Sequence, residues 1–104
     1  MNLVLLKIKR LIISGKYIFT RKAELEMFAD SLTEESVLES ILNANGIKKI
    51  VRSKSQAVQR KEKLYIIESF TYDGMLIYTK GAIKNNSEGE YFYLFISSKR
   101  SIDS

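Results

Sequence analysis

Four residues toward the carboxyl end have side chains suited to proton transfer or phosphate binding: Tyr78 and Lys80 in "IYTKGAIK", and Lys99 and Arg100 in "FISSKR". A phenol can donate a proton, while ammonium and guanidinium groups hold phosphate oxygens. The chain contains no histidine and no cysteine. Disulfides, thiol nucleophiles and thiolate metal sites are thereby removed, and carboxylates are left as the sole metal ligands, which argues against zinc or another transition metal. Chemistry in this chain must fall to tyrosine, lysine and arginine, with no metal and no cofactor expected.

The strands that carry these residues set which of them can meet. In residues 75–84, alternation puts Met75, Ile77, Gly81 and Ile83 on one side and Leu76, Tyr78, Lys80 and Ala82 on the other. In residues 91–98, Phe92, Leu94 and Ile96 are wholly apolar and are expected to face the core. Tyr91, Tyr93, Phe95, Ser97 and Lys99 then fall on the opposite face, beside Tyr78 and Lys80 if the two strands pair across "NNSEG". Rings interleaved with cations are what a single-stranded RNA surface needs, because bases stack on rings while cations meet phosphates. Tyr93 or Phe95 is the expected stacking platform. The outer face of any antiparallel sheet is also solvated, and tyrosine is a common strand residue, so on alternation alone the two readings stand level.

The remaining elements must hold that sheet. Val4, Leu5, Ile8, Leu11 and Ile12 recur at helical spacing, with Gly15 as a C-terminal stop. "YIFT" is a short extended piece, after which Thr20 caps a second helix over 21–29 that buries Ala23 and Met27. Thr33 caps a third, whose buried face is Val37, Leu38, Ile41 and Leu42. From Ile47 onward the pattern is strand or loop: a strand over 47–51, a polar exposed loop "RSKSQAVQRKE", then strands over 63–70, 75–84 and 91–98. Asp73-Gly74 marks the tight turn between the first two of these. The expected fold is α+β, with N-terminal helices on one face of a three- to four-stranded antiparallel sheet.

Composition bounds the rest. A length of 104 residues fits one domain, and 45% apolar content with eleven aromatics suffices for one core. The apolar start "MNLVLLKIKR" is broken by Lys7, Lys9 and Arg10 before it can form a signal-peptide core, and no stretch is long enough to span a membrane. A cytoplasmic protein without a membrane partner is expected. The formal net charge of +5 is unevenly placed. Seven basic residues lie between Gly46 and Lys63 against Glu62 alone, whereas Arg21 to Ser40 holds six acidic and two basic residues. A basic strand and loop fit a phosphate backbone, although a merely solvated loop has the same composition.

The run "IKRLIISGKYIFTRKAELEMFADSLTEESVLESIL", with "IYTKG" and the terminal "FISSKR", resembles the MqsR-type mRNA interferase toxins and related small domains of the wider RelE-like group of bacterial toxins. The likeness spans residues 8–100 in the same element order. It implies an α+β endoribonuclease of a type II toxin–antitoxin system that cleaves messenger RNA without a metal and is held inactive by a cognate antitoxin. "IYTK" then supplies Tyr78 and "SSKR" supplies Lys99, and within this reading Lys80, Lys99 and Arg100 are expected to hold the scissile phosphate beside a catalytic Tyr78. Lys49, Arg52 or Lys54 stands where the family has a lysine near the start of the sheet, and Arg21 and Lys22 extend the RNA-binding set. Related domains carry "FTxHAxxRM" where this chain has "FTRKAELEM", so Lys22 replaces the histidine and Glu26 the arginine. Metal-free RNA cleavage uses the 2′-hydroxyl as nucleophile and needs a base for it, an acid for the leaving 5′-oxygen, and cations for the phosphorane. Without histidine, Tyr78 is the candidate for acid or base.

Overall fold

The computed structural model describes residues 2–53 and 62–102. Three helices and five strands follow one another as α1 (Leu3–Ile13), β1 (Tyr17–Phe19), α2 (Arg21–Ala29), α3 (Glu34–Leu42), β2 (Lys49–Arg52), β3 (Lys63–Phe70), β4 (Leu76–Asn85) and β5 (Tyr91–Arg100). Each helix starts on a side chain that satisfies an otherwise orphaned N–H. Asn2 Oδ1 accepts from Val4 and Leu5, Thr20 Oγ1 from Ala23, and Thr33 forms a reciprocal box with Ser36. Gly15, with φ of +72°, turns the chain out of α1 in a conformation that side chains resist.

The strands form one sheet in the order β1-β5-β4-β3-β2. The α+β class matches the expectation, but the sheet is mixed and five-stranded rather than antiparallel with three or four strands, because β1 runs parallel to β5. "YIF" is too short to show alternation, and tertiary packing makes it a strand. Phe19 stacks on Phe95 at 4.4 Å between ring centroids, and Tyr93 N–H donates to Lys16 O at 2.9 Å. The hairpin between β3 and β4 closes on Thr71 and Met75, with Gly74 at φ +86° supplying the left-handed residue of a three-residue loop.

All three helices lie on one face. Leu5, Ile8 and Ile12 of α1, Ala23 and Met27 of α2, and Val37 and Ile41 of α3 meet Tyr65 and Ile67 of β3, Ile77 of β4, and Tyr93 and Phe95 of β5. Leu42 is exposed rather than buried, while Ser40 takes a core position by donating its hydroxyl hydrogen to Val37 O. Among the described residues, no helix packs on the other face, and no helix is long and apolar enough to cross a membrane.

The face assignment of β5 differs from the alternation reading. Tyr93 and Phe95 are 0% exposed in the core, and Phe92, Leu94 and Ile96 take the opposite side, where they are half-buried. Directly paired residues of an antiparallel ladder share a face, and Ile83 pairs with Tyr93 and Gly81 with Phe95. What Gly81 admits is therefore the Tyr93 ring: a Cβ there would stand 2.5 Å from Tyr93 Cζ. One step along, Lys80 pairs with Ser97, so Ile96 is an extra residue on β5. This bulge inverts the alternation beyond it. Tyr78 and Lys80 thus share the open face with Lys99 and Ser97, but not with Tyr93 and Phe95.

Past the end of β1 the edge of β5 is taken over by α2. Thr20 N–H donates to Phe95 O at 2.9 Å and Thr20 Oγ1–H to Ile96 O at 3.1 Å. Glu26 Oε1 then accepts from Ser98 N–H and Asp30 Oδ2 from Arg100 N–H. Carboxylates four residues apart on a helix meet amides two residues apart on a strand, and the outward amides of the sheet edge are satisfied.

Candidate functional site

The open face carries two rows of side chains relevant to the chemistry. One runs Glu68–Tyr78–Lys99 across β3, β4 and β5, each residue directly opposite the next. The second runs Lys49–Ile66–Lys80–Ser97 across β2 to β5. Residues opposed in this way have Cβ atoms about 4.5–5.5 Å apart, so neighbours in a row can act on one small group.

The first row opens into a cleft of ≈ 510 Å³ at the end of the sheet, whose walls include Asp30, Lys48, Glu68, Tyr78, Lys99 and Arg100. Lys48, from the turn before β2, forms an ion pair and hydrogen bond with Glu68 Oε1, and Ser101 Oγ–H donates to Glu68 Oε2. Lys99 Nζ stands 5.4 Å from the centroid of the Tyr78 ring. Asp30 is held by the Arg100 amide at 2.8 Å. Two lysines and two carboxylates therefore line the cleft around one phenol.

The charges have readable effects. Hydrogen bonds from Lys48 and Ser101 hold the Glu68 carboxyl below its ordinary range. Burial would raise Glu26, but donors from Ser97 and Ser98, with Lys22 at 3.4 Å, leave it lowered as well. Half-burial pushes the Tyr78 phenol up, the Glu26 and Glu68 carboxylates push it further, and Lys48 offsets part of this. Tyr78 therefore keeps its proton at neutral pH and is suited to acid rather than base, which narrows the two roles that residue types alone allowed.

Of the sequence-derived set, Tyr78 and Lys99 meet at the cleft from the open face, whereas Arg100, although it lines the cleft, pairs with the core residue Ile77 and so lies on the helix-bearing side of the sheet. Lys80 lies on the open face two residues beyond Tyr78 along β4, outside the cleft walls. Lys49 is exposed on that face, opposite Ile66. Arg52 pairs with Lys63, on the helix-bearing side of the sheet, and so does not join them. Lys54 lies outside the described residues. Arg21 and Lys22 are exposed in the first turn of α2, with Lys22 bridged to Glu26. Tyr93 and Phe95 are core residues, and neither ring is offered to a base.

Residue-type reasoning passed over Lys48, Glu68 and the Glu26–Ser97 contact, in which Ser97 Oγ–H donates at 2.7 Å. Glu68 had a signal: it is the only carboxylate in "KLYIIESF", and counting outward from the Thr71–Met75 closure puts it opposite Tyr78. The contact of Glu26 with β5 had none, because Ser97 and Ser98 lie 71 and 72 residues away. Among the described residues, no group of three or more acidic side chains gathers as a metal site. Comparison with family models, with curated proteins and with solved structures gave no match.

Proposed function

We propose that this chain is a metal-independent endoribonuclease, an mRNA interferase of a toxin–antitoxin pair like the MqsR-type toxins that its sequence resembles. The observation that carries the reading is the row Glu68–Tyr78–Lys99, with Arg100 and Lys48 on the walls of the same cleft. Lys99 holds the non-bridging oxygens of the scissile phosphate and stabilises the phosphorane, as an oriented cation does in a partly desolvated site. Tyr78 supplies the proton to the leaving 5′-oxygen. Lys80 and Lys49, in the next row of the open face, meet the neighbouring phosphates of the strand. A cognate antitoxin is part of the same proposal.

The test is incubation of purified protein with a long RNA in EDTA, with the new ends analysed for 2′,3′-cyclic phosphate. Wild type is expected to cleave, and Tyr78→Phe and Lys99→Ala each to lose about 10²-fold or more. No cleavage by wild type, or unchanged cleavage by both variants, overturns the proposal. A second reading, binding without cleavage, is favoured by the half-buried aliphatic residues Val51, Leu64 and Leu94 on the same open face. Nucleic-acid affinity falling steeply with salt, with intact RNA, would assign a nucleic-acid-binding domain; affinity for a protein that hardly changes with salt would assign an interaction module.

A further inference from the structure

We propose that Glu68 is the general base of this cleft, removing the proton of the ribose 2′-hydroxyl. The inference rests on the endoribonuclease reading and supplies the base that the residues singled out by type did not provide.

Position is the first argument. Glu68 is the direct cross-strand neighbour of Tyr78 and stands on the opposite side of it from Lys99. An in-line displacement at phosphorus needs a base at the entering oxygen and an acid at the leaving oxygen, with cations on the remaining oxygens. Cβ atoms about 5 Å apart on neighbouring strands place a carboxylate and a phenol on the two apical oxygens of one phosphorane. Lys99 reaches its equatorial oxygens from β5.

Orientation is the second. Lys48 binds one oxygen of Glu68 and Ser101 the other, so the carboxylate is held from both sides. Each carboxylate oxygen accepts two hydrogen bonds, which leaves one site on each for substrate. The side chain is 13% exposed, within the cleft and not out in solvent. The other carboxylates nearby are committed elsewhere. Asp30 is bound to the Arg100 amide, and Glu26 to Ser97, Ser98 and Lys22, off the cleft walls. Lysine would have to shed its proton before it could accept one, whereas Glu68 is already ionised.

In the step assigned here the 2′-oxygen forms a bond to phosphorus while its proton passes to Glu68. The bond from phosphorus to the 5′-oxygen breaks, and that oxygen takes the Tyr78 proton. The products are a 2′,3′-cyclic phosphate and a 5′-hydroxyl, and exchange with water returns the proton from Glu68 and restores that of Tyr78. No oxidant, reductant or further reactant is needed.

Two substrates separate base from acid. A long RNA has a poor leaving group, whereas a nucleoside 3′-(4-nitrophenyl phosphate) releases nitrophenolate, which leaves without a proton. Glu68→Gln is expected to slow both by about 10²-fold or more, and Tyr78→Phe to slow RNA cleavage while leaving the nitrophenyl ester within a few-fold. The wild-type rate on the ester should fall as the pH is lowered through the Glu68 titration, and Glu68→Gln should remove that acid limb. Thermal unfolding of each variant checks its fold, and Glu68→Asp, which keeps the carboxylate, should retain the limb at a reduced rate. Wild-type cleavage with an ester rate or acid limb unchanged in Glu68→Gln overturns Glu68 alone. Failure of wild type on both substrates overturns the endoribonuclease reading with it.

Discussion

Tyr93 fills the space that Gly81 leaves open on the helix-bearing face of the sheet. Its ring lies over Gly81, where a methyl group would meet Cζ at 2.5 Å and Oη at 2.6 Å, and its edge contacts Phe95 at 5.0 Å between centroids. Its hydroxyl is buried with no hydrogen-bond partner among the described residues. Gly81→Ala should therefore destabilise by about 1–3 kcal/mol, because neither the ring nor the paired strand can yield without repacking. Tyr93→Phe removes a polar atom that gains nothing from burial, and should raise stability by up to about 1 kcal/mol. The double variant stays well below wild type, since ring carbons as well as the hydroxyl occupy the space of the new methyl. Denaturant unfolding of the three variants measures all of this, and a Tyr93→Phe protein markedly less stable than wild type would show that the hydroxyl has a partner after all.

Element by element, what could be read from sequence was what is local. Thr20 and Thr33 as caps, Gly15 as a stop and Asp73-Gly74 as a turn act within a few residues and hold in the structure. The parallel pairing of β1 with β5 spans more than 70 residues, and nothing within "YIF" encodes it. The bulge at Ile96 was equally silent. Strict alternation grouped Tyr93 and Phe95 with Ser97 and Lys99, and put Phe92, Leu94 and Ile96 in the core. Lys99 does lie beside Tyr78, but for a different reason: with the aromatics buried, an unbulged strand would have turned Lys99 toward the helices. The candidate cleft is thus legible in its residue types and only accidentally in its geometry. Deletion of Ile96 should abolish cooperative unfolding, because β5 could satisfy the core or the cleft but not both. Glu26→Ala should be milder and cost about 2–3 kcal/mol, the loss of charge-assisted bonds to Ser97 and Ser98, while Glu26→Gln keeps an acceptor and loses less. Equal losses for Ala and Gln at this position would mean that the charge, and not the hydrogen bonding, holds α2 along β5.

For the molecule as a whole, the same shifted groups that shape the cleft give stability a two-sided dependence on pH. Glu26 and Glu68 are lowered in the folded state from 4.5, so the folded chain binds fewer protons there than the unfolded chain does. Their contribution is present above the unfolded value and is lost as the pH falls through the folded ones, below about 4.5. Tyr78 and Tyr93 are raised from 10.0, Tyr93 strongly through burial, so the folded chain keeps protons that the unfolded chain gives up. Their contribution is complete below pH 10 and is lost as the pH rises above it. Denaturant unfolding across the pH range should therefore show a plateau with two falling arms. Glu26→Gln and Glu68→Gln should each flatten the acid arm, and Tyr93→Phe should flatten most of the alkaline one. Tyr78→Phe removes a smaller part of that arm, because its phenol is only half-buried and Lys48 offsets the carboxylates around it. An alkaline arm that survives Tyr93→Phe intact would place the coupling elsewhere and contradict the burial of that ring.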